Sequence, residues 1–152
     1  MTKRLFRIIQ AGITFACVIA LLVSFYLQYG LGMQPCPLCL MQRFMVIGLG
    51  LLGLSALLSG TTSRARTMLI GHCLLCLAGL YFAVRQVWLQ HLPEDQAATC
   101  LPDLGVLMKY FPWQDTVKAL FLGSGDCAEI HATILGLTLP AWTGLFFLLL
   151  LV

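Results

Sequence analysis

Charge is distributed along this chain so that long stretches carry none. No Asp, Glu, Lys or Arg occurs between Arg7 and Arg43, between Arg43 and Arg64, between Arg66 and Arg85, or after Glu129. A helix needs ~20 mostly apolar residues to cross a hydrocarbon core ~30 Å thick, and these gaps are filled chiefly by apolar residues. Only 10% of the 152 residues are charged and 60% are apolar, whereas a soluble domain carries about 25% charged residues. This excludes a soluble enzyme and a disordered chain, and a net charge of +3, too small and too dispersed for a phosphate-binding patch, excludes a nucleic-acid-binding domain. The chain is predicted to be an integral membrane protein.

Four apolar stretches are expected to span, at about residues 8–27, 40–58, 67–87 and 134–152. Helices satisfy every backbone group inside lipid, and runs such as Phe146–Leu151 lack the alternation of a barrel strand. The first stretch is longer than the core of a cleavable signal and has no small-residue cleavage pattern after it, so it reads as a retained anchor. Lys3, Arg4 and Arg7 precede the first span, and Arg64 and Arg66 lie between the second and third. The positive-inside rule makes both regions cytoplasmic, and with them both termini. The outer connections are then about 28–39 and 88–133, and the second holds all six acids. That loop exceeds the ~12–15-residue ceiling for structureless connections, which signals function. Within it, Leu104–Phe121 mixes apolar residues with Lys109, Asp115 and Lys118. The pattern predicts a short helix along the membrane surface, interrupted or started by Pro112.

The cysteines divide by side. Cys36, Cys39, Cys100 and Cys127 fall in the outer loops; Cys17, Cys73 and Cys76 fall within spans. Four thiols in an oxidising compartment suffice for two bridges, and both could be structural staples. A bridge from Cys100 to Cys127 would close a loop of ~27 residues and stabilise by roughly 3–4 kcal/mol. Cys36-Pro37-Leu38-Cys39 closes too short a loop for that purpose, and its spacing suits thiol–disulfide exchange. Pro37 fits the first turn of the second span. Cys39 then sits near a helix N-terminus, whose dipole favours thiolate over thiol. Arg43, four residues on, shares its face.

An arginine inside a span marks either a functional contact or a side chain snorkelling to the headgroups. The neighbouring thiol favours function: Arg43 could stabilise a Cys39 thiolate and hydrogen-bond an oxygen of an electron acceptor. Arg85, near the outer end of the third span, is expected to snorkel. Cys73-Leu74-Leu75-Cys76 repeats the spacing deep in an apolar run, and there Cys17, Cys73 and Cys76 read as small buried hydrophobes. His72 beside them lacks a fourth ligand at any usual spacing, so no metal is expected. Of His91 and His131, near the outer interface, only His91 is a weak candidate for a proton donor to a quinone. Gly48, Gly53, Gly71 and Gly79 could mark close helix packing but are too common in spans to rank.

Pro35-Cys36-Pro37-Leu38-Cys39 with Gln42-Arg43, Ala98-Thr99-Cys100, Gly123-Ser124-Gly125-Asp126-Cys127-Ala128-Glu129, Leu135-Gly136-Leu137 and Pro140-Ala141-Trp142 resemble the bacterial disulfide bond formation protein B (DsbB) family, from the first span to nearly the last residue. The resemblance implies an all-α integral membrane protein, a four-transmembrane-helix bundle forming one domain over residues 1–152. Its long periplasmic loop would carry the short interfacial helix, and the bilayer would be the bacterial inner membrane. It implies a quinone-dependent protein-disulfide oxidoreductase that reoxidises a periplasmic DsbA-type dithiol oxidase and passes two electrons to ubiquinone or menaquinone. By the same likeness Cys100 and Cys127 form the pair that accepts electrons, with Cys100 making the mixed disulfide. Cys36 and Cys39 form the pair that reoxidises it, and Cys39 beside Arg43 faces the quinone. A strongly oxidising partner needs an acceptor beyond the ordinary thiol pools, and a lipid-soluble quinone meets that need. The stretch between His91 and Cys100 is shorter than in the best-known members. A relative dedicated to one partner oxidase fits the same residues. A vitamin K epoxide reductase-like protein would place the Cys-x-x-Cys late in the chain, and a disulfide-stapled structural subunit would use the outer thiols only as staples.

Overall fold

Apolar runs free of charge and long enough to cross lipid form the frame of the molecule. The computed structural model describes residues 3–59, 65–92, 112–123, 127–128 and 133–151. Helix α1 (Lys3–Phe25) continues into a π-helical turn, Tyr26–Gly30; α2 is Pro37–Ser59 and α3 is Ala65–Gln90. These three helices are long and apolar enough to span a membrane. The fourth apolar helix, α5 (Leu139–Leu151), has 13 residues, about 20 Å at 1.5 Å per residue, short of a ~30 Å core. Between α3 and α5 lies α4 (Trp113–Leu122), which begins directly after Pro112. Proline's fixed φ and missing amide suit it to a helix start. The first half of the expected surface helix, from Leu104 to Phe111, lies outside the described residues.

The last apolar run departs from expectation at its start. In place of a helix from Ile134, Thr133–Ile134 (β1) pairs antiparallel with Leu137–Thr138 (β2). The two turn residues, Leu135 and Gly136, have φ of 53° and 81°, the left-handed pair of a type I′ hairpin. Helix α5 then starts at Leu139 with Pro140 in its first turn. Hydrophobicity marked this segment, but turn geometry decided its shape.

Helix α2 packs on both α1 and α3, α3 packs on α5, and α4 lies against α2. The core between them holds Cys17, Val46, Leu49, Cys76 and Phe147, each nearly or fully buried. Cys17 and Cys76 are therefore packing residues here. At Gly79 the helices α3 and α5 approach closely, since a Cβ there would clash with the ring of Phe147. Outward, α1 exposes Ile8, Phe15 and Leu22, the π turn exposes Tyr26, and α3 exposes Leu69, Leu74 and Val84. Exposed apolar surface on this scale needs a lipid solvent. Among the described residues the protein is all-helical apart from the small hairpin, and its exposed apolar helices make it a membrane protein.

Candidate active site

The N-terminus of α2 is built around Cys36. Its carbonyl accepts the Leu40 amide at 3.1 Å, and its Sγ accepts the Cys39 amide at 3.4 Å. Cys36 thus occupies the capping position, with sulfur in the place usually taken by a side-chain oxygen. Pro37 follows at the first helical position, buried with Leu38. This local geometry brings Cys36 Sγ within 2.9 Å of Cys39 Sγ.

A third thiol arrives from far along the chain. Cys127, fully buried, joins Cys36, Leu38, Phe82 and Leu89 in one apolar cluster, and it is hydrogen-bonded to Cys36. That bond, then the bond to Cys39 and burial, push the Cys36 thiol above its ordinary range. Helix α4 prepares this approach. Ala119 is buried, Phe121 packs on Phe82 with ring centroids 5.8 Å apart, and Arg85 Nε donates to the Leu122 carbonyl at 3.3 Å. Arg85 also lies 4.4 Å over the Trp88 ring, so its guanidinium fastens the end of α4 to α3. Gly123 turns the chain there with φ 89°, and a Cβ would come 2.6 Å from Leu89 and 3.0 Å from Leu38. Cys100 and His131 lie outside the described residues.

The sulfurs of Cys36 and Cys39 share a donor that the sequence reading did not single out. Gln86 Nε2 donates to Cys39 Sγ at 3.1 Å and to Cys36 Sγ at 3.3 Å. Gln86 Oε1 accepts from Gln42 Nε2 at 2.9 Å and lies 3.5 Å from Cys39 Sγ. Both glutamines are 4% exposed. The available signal was positional. Gln86 lies within the buried stripe of α3 that runs through His72, Cys76, Gly79, Ala83 and on to Leu89, where an amide is out of place unless bonded.

Arg43 turns to α1. Nε and Nη2 donate to Ser24 Oγ at 3.0 and 2.7 Å, Nη2 reaches the Ser24 carbonyl at 3.4 Å, and Nη1 donates to Gln28 Oε1 at 2.6 Å. The Phe25 ring lies 4.7 Å from the guanidinium carbon. None of these four hydrogen bonds goes to sulfur. Its side chain nonetheless lines a cavity of about 330 Å³ between the C-terminal part of α1 and the N-terminal part of α5, with Cys36 and Cys39 on one side. Ser24 lines it from α1, Leu27 and Gln28 from the π turn; Gln86 and Gln90 from α3; Leu139, Pro140, Trp142 and Phe146 from α5. Gln90 Oε1 is buried there without a hydrogen-bond partner among the described residues. Such a volume, with apolar walls and a few polar groups, is that of a small-molecule site. His91 is not among the lining residues; it is exposed, with Nδ1 on the Val87 carbonyl at 2.8 Å.

Taken together, the site can exchange disulfides among three thiols and offers a largely apolar cavity beside two of them. Comparison with known proteins agrees with the chemistry. The family model described as disulfide bond formation protein DsbB matches residues 6–152. The chain is 44% identical over 130 residues to disulfide bond formation protein B of Saccharophagus degradans, covering 84% of this chain and 77% of that one. It is 41% identical over 144 residues to the Marinobacter nauticus protein of that name, covering 93% and 85%. Against the Acinetobacter baumannii protein it is 37% identical over 150 residues, covering 96% and 86%. The chain belongs to the DsbB family of membrane disulfide bond formation proteins.

Proposed function

We propose that this protein reoxidises a DsbA-type dithiol oxidase in the periplasm and passes the two electrons to a quinone of the inner membrane. The observation that carries the reading is the convergence of Cys36, Cys39 and Cys127 in one cluster, with Cys36 and Cys39 also lining the cavity. In the net reaction a partner dithiol becomes a disulfide, and a quinone takes up its two electrons and two protons to leave as quinol. The positive-inside rule applied to Lys3, Arg4, Arg7, Arg64 and Arg66 supports cytoplasmic termini and an outward-facing thiol site.

Within the chain, Cys100 is the residue expected to meet the partner thiol, and Cys127 stands ready beside Cys36 to receive exchange from it. A thiolate at Cys127 that attacks Cys36 forms the Cys36–Cys127 bond and releases Cys39 as thiolate toward the cavity. The cavity fits a quinone ring: Leu139, Pro140, Trp142 and Phe146 give it apolar walls, and Arg43 and Gln90 supply polar groups at its edge. Ser24 and Gln28 hold the Arg43 guanidinium in place, ready to bond a carbonyl oxygen. Ubiquinone and menaquinone both present such an oxygen.

Purified protein in detergent, mixed with reduced DsbA-type protein and ubiquinone-1, is expected to reduce the quinone with matching loss of partner thiols. Cys39→Ser should abolish the coupled reaction; unchanged activity would rule the catalytic reading out. Arg43→His should weaken apparent quinone affinity with the thiols intact. If Cys100 is only part of a staple, its mutation lowers folded yield and no mixed disulfide with the partner can be trapped.

A further inference from the structure

A thiolate in an apolar site needs donors, because an unpaired charge away from water is costly. The sequence nominates Arg43 for that task, yet its hydrogen bonds run to Ser24 and Gln28. The groups directed at the Cys39 sulfur are the Cys36 thiol, at 2.9 Å, and the Gln86 amide nitrogen, at 3.1 Å. Cys36 is consumed when it bonds to another sulfur, whereas Gln86 is present throughout. Its orientation is also fixed, since Oε1 is held by Gln42 Nε2 at 2.9 Å, which turns the NH₂ group toward the sulfurs. Both side chains are buried, where a hydrogen bond to a charged acceptor is worth more than it is in water.

We propose that the Gln86 side-chain amide, oriented by Gln42, is the donor that holds the Cys39 sulfur as an anion when the Cys36–Cys39 bond opens. The inference rests on the reading of this site as one of disulfide exchange. The attacking thiolate bonds to Cys36, the Cys36–Cys39 bond breaks, and its electron pair stays on Cys39, facing the Gln86 N–H. A leaving thiol that is more stable as thiolate departs faster. Gln86 touches a reacting atom and is a catalytic residue on this assignment; Gln42 is a positioning residue.

The test needs neither quinone nor partner. In fully reduced protein in detergent, the pH dependence of Cys39 alkylation by iodoacetamide, located by peptide mass, reports its thiolate fraction. Gln86→Met, which keeps the length of the side chain and removes the donor, should leave about tenfold less thiolate at a given pH or lower still, equal to one pH unit in the profile midpoint. Gln42→Met, which frees the amide to rotate, should act in the same direction and less, and it decides the matter if Gln86→Met does not fold. An unchanged midpoint in the folded variants overturns the proposal. A uniformly slower alkylation with the same midpoint also overturns it, because that pattern marks access and not charge. Reduction of ubiquinone-1 by the same wild-type sample is measured beside it. If that fails while the midpoint still moves, the quinone reading is lost and the assignment of Gln86 stands.

Discussion

An arginine in the first two turns of a membrane helix is costly unless its guanidinium is occupied. Arg43 meets that demand with Ser24, Gln28 and Phe25, all on the end of α1 or the π turn that follows it. From the sequence, Arg43 and the Cys-x-x-Cys were legible because their chemistry and spacing are local. Gln86 was not, because its meaning depends on partners 44 and 47 residues away. Cys36 gives a prediction of its own. Its folded-state proton affinity is raised above the ordinary thiol value of 9.0 by hydrogen bonds to Cys127 and Cys39 and by burial. The folded chain thus keeps a proton that the unfolded chain gives up near pH 9. The resulting stability is full below that pH and declines as pH rises beyond it. Melting of the reduced protein in detergent should fall between about pH 8.5 and about pH 10.5 more steeply than in Cys36→Ser; parallel curves would refute the link.

Helix α4 is short and amphipathic, and its hold on the bundle comes from few contacts: buried Ala119, Phe121 on Phe82, and Arg85 on the Leu122 carbonyl. The snorkelling expected of Arg85 gives way to a fastening role, since the carbonyls at a helix C-terminus attract a cation. Gly123 is the tightest point of this attachment. Gly123→Ala adds a strained positive φ to a clash with Leu89 and Leu38, a cost of about 1–3 kcal/mol. It should lower the rate at which added oxidised glutathione converts the Cys127 and Cys36 thiols to a disulfide in a Cys39→Ser background, with α2 intact by hydrogen exchange. An unaltered rate would show that Cys127 is placed by other contacts. At this scale the sequence announced the start of α4 through Pro112 but not the hairpin at Thr133–Thr138. A hydropathic run looks the same in helix and strand, and only the Leu135-Gly136 turn distinguishes them.

For the whole molecule, the charge gaps made the apolar helices legible, because the thickness of a bilayer leaves little choice of length. The order of packing was not legible, since lipid-facing and core-facing residues are equally apolar. The hydrophobic difference that marks an inner face in water is absent. What orders the helices is fit, and Gly79 against Phe147 is its clearest case. Gly79→Ala should push Phe147 out of its buried place and lower stability by about 1–3 kcal/mol, read as a drop in melting temperature in detergent. A melting temperature equal to that of the wild type would mean that α5 can shift freely on α3. The cavity opens between α1 and α5, two helices whose outer faces are clad in large apolar side chains. On the proposed reading, a quinone would reach it in two dimensions through lipid and enter sideways, so its occupancy would follow its mole fraction in the lipid or micelle. Apparent affinities measured at different detergent loads should therefore coincide only when expressed per detergent molecule, and adding empty micelles should act as a competitor.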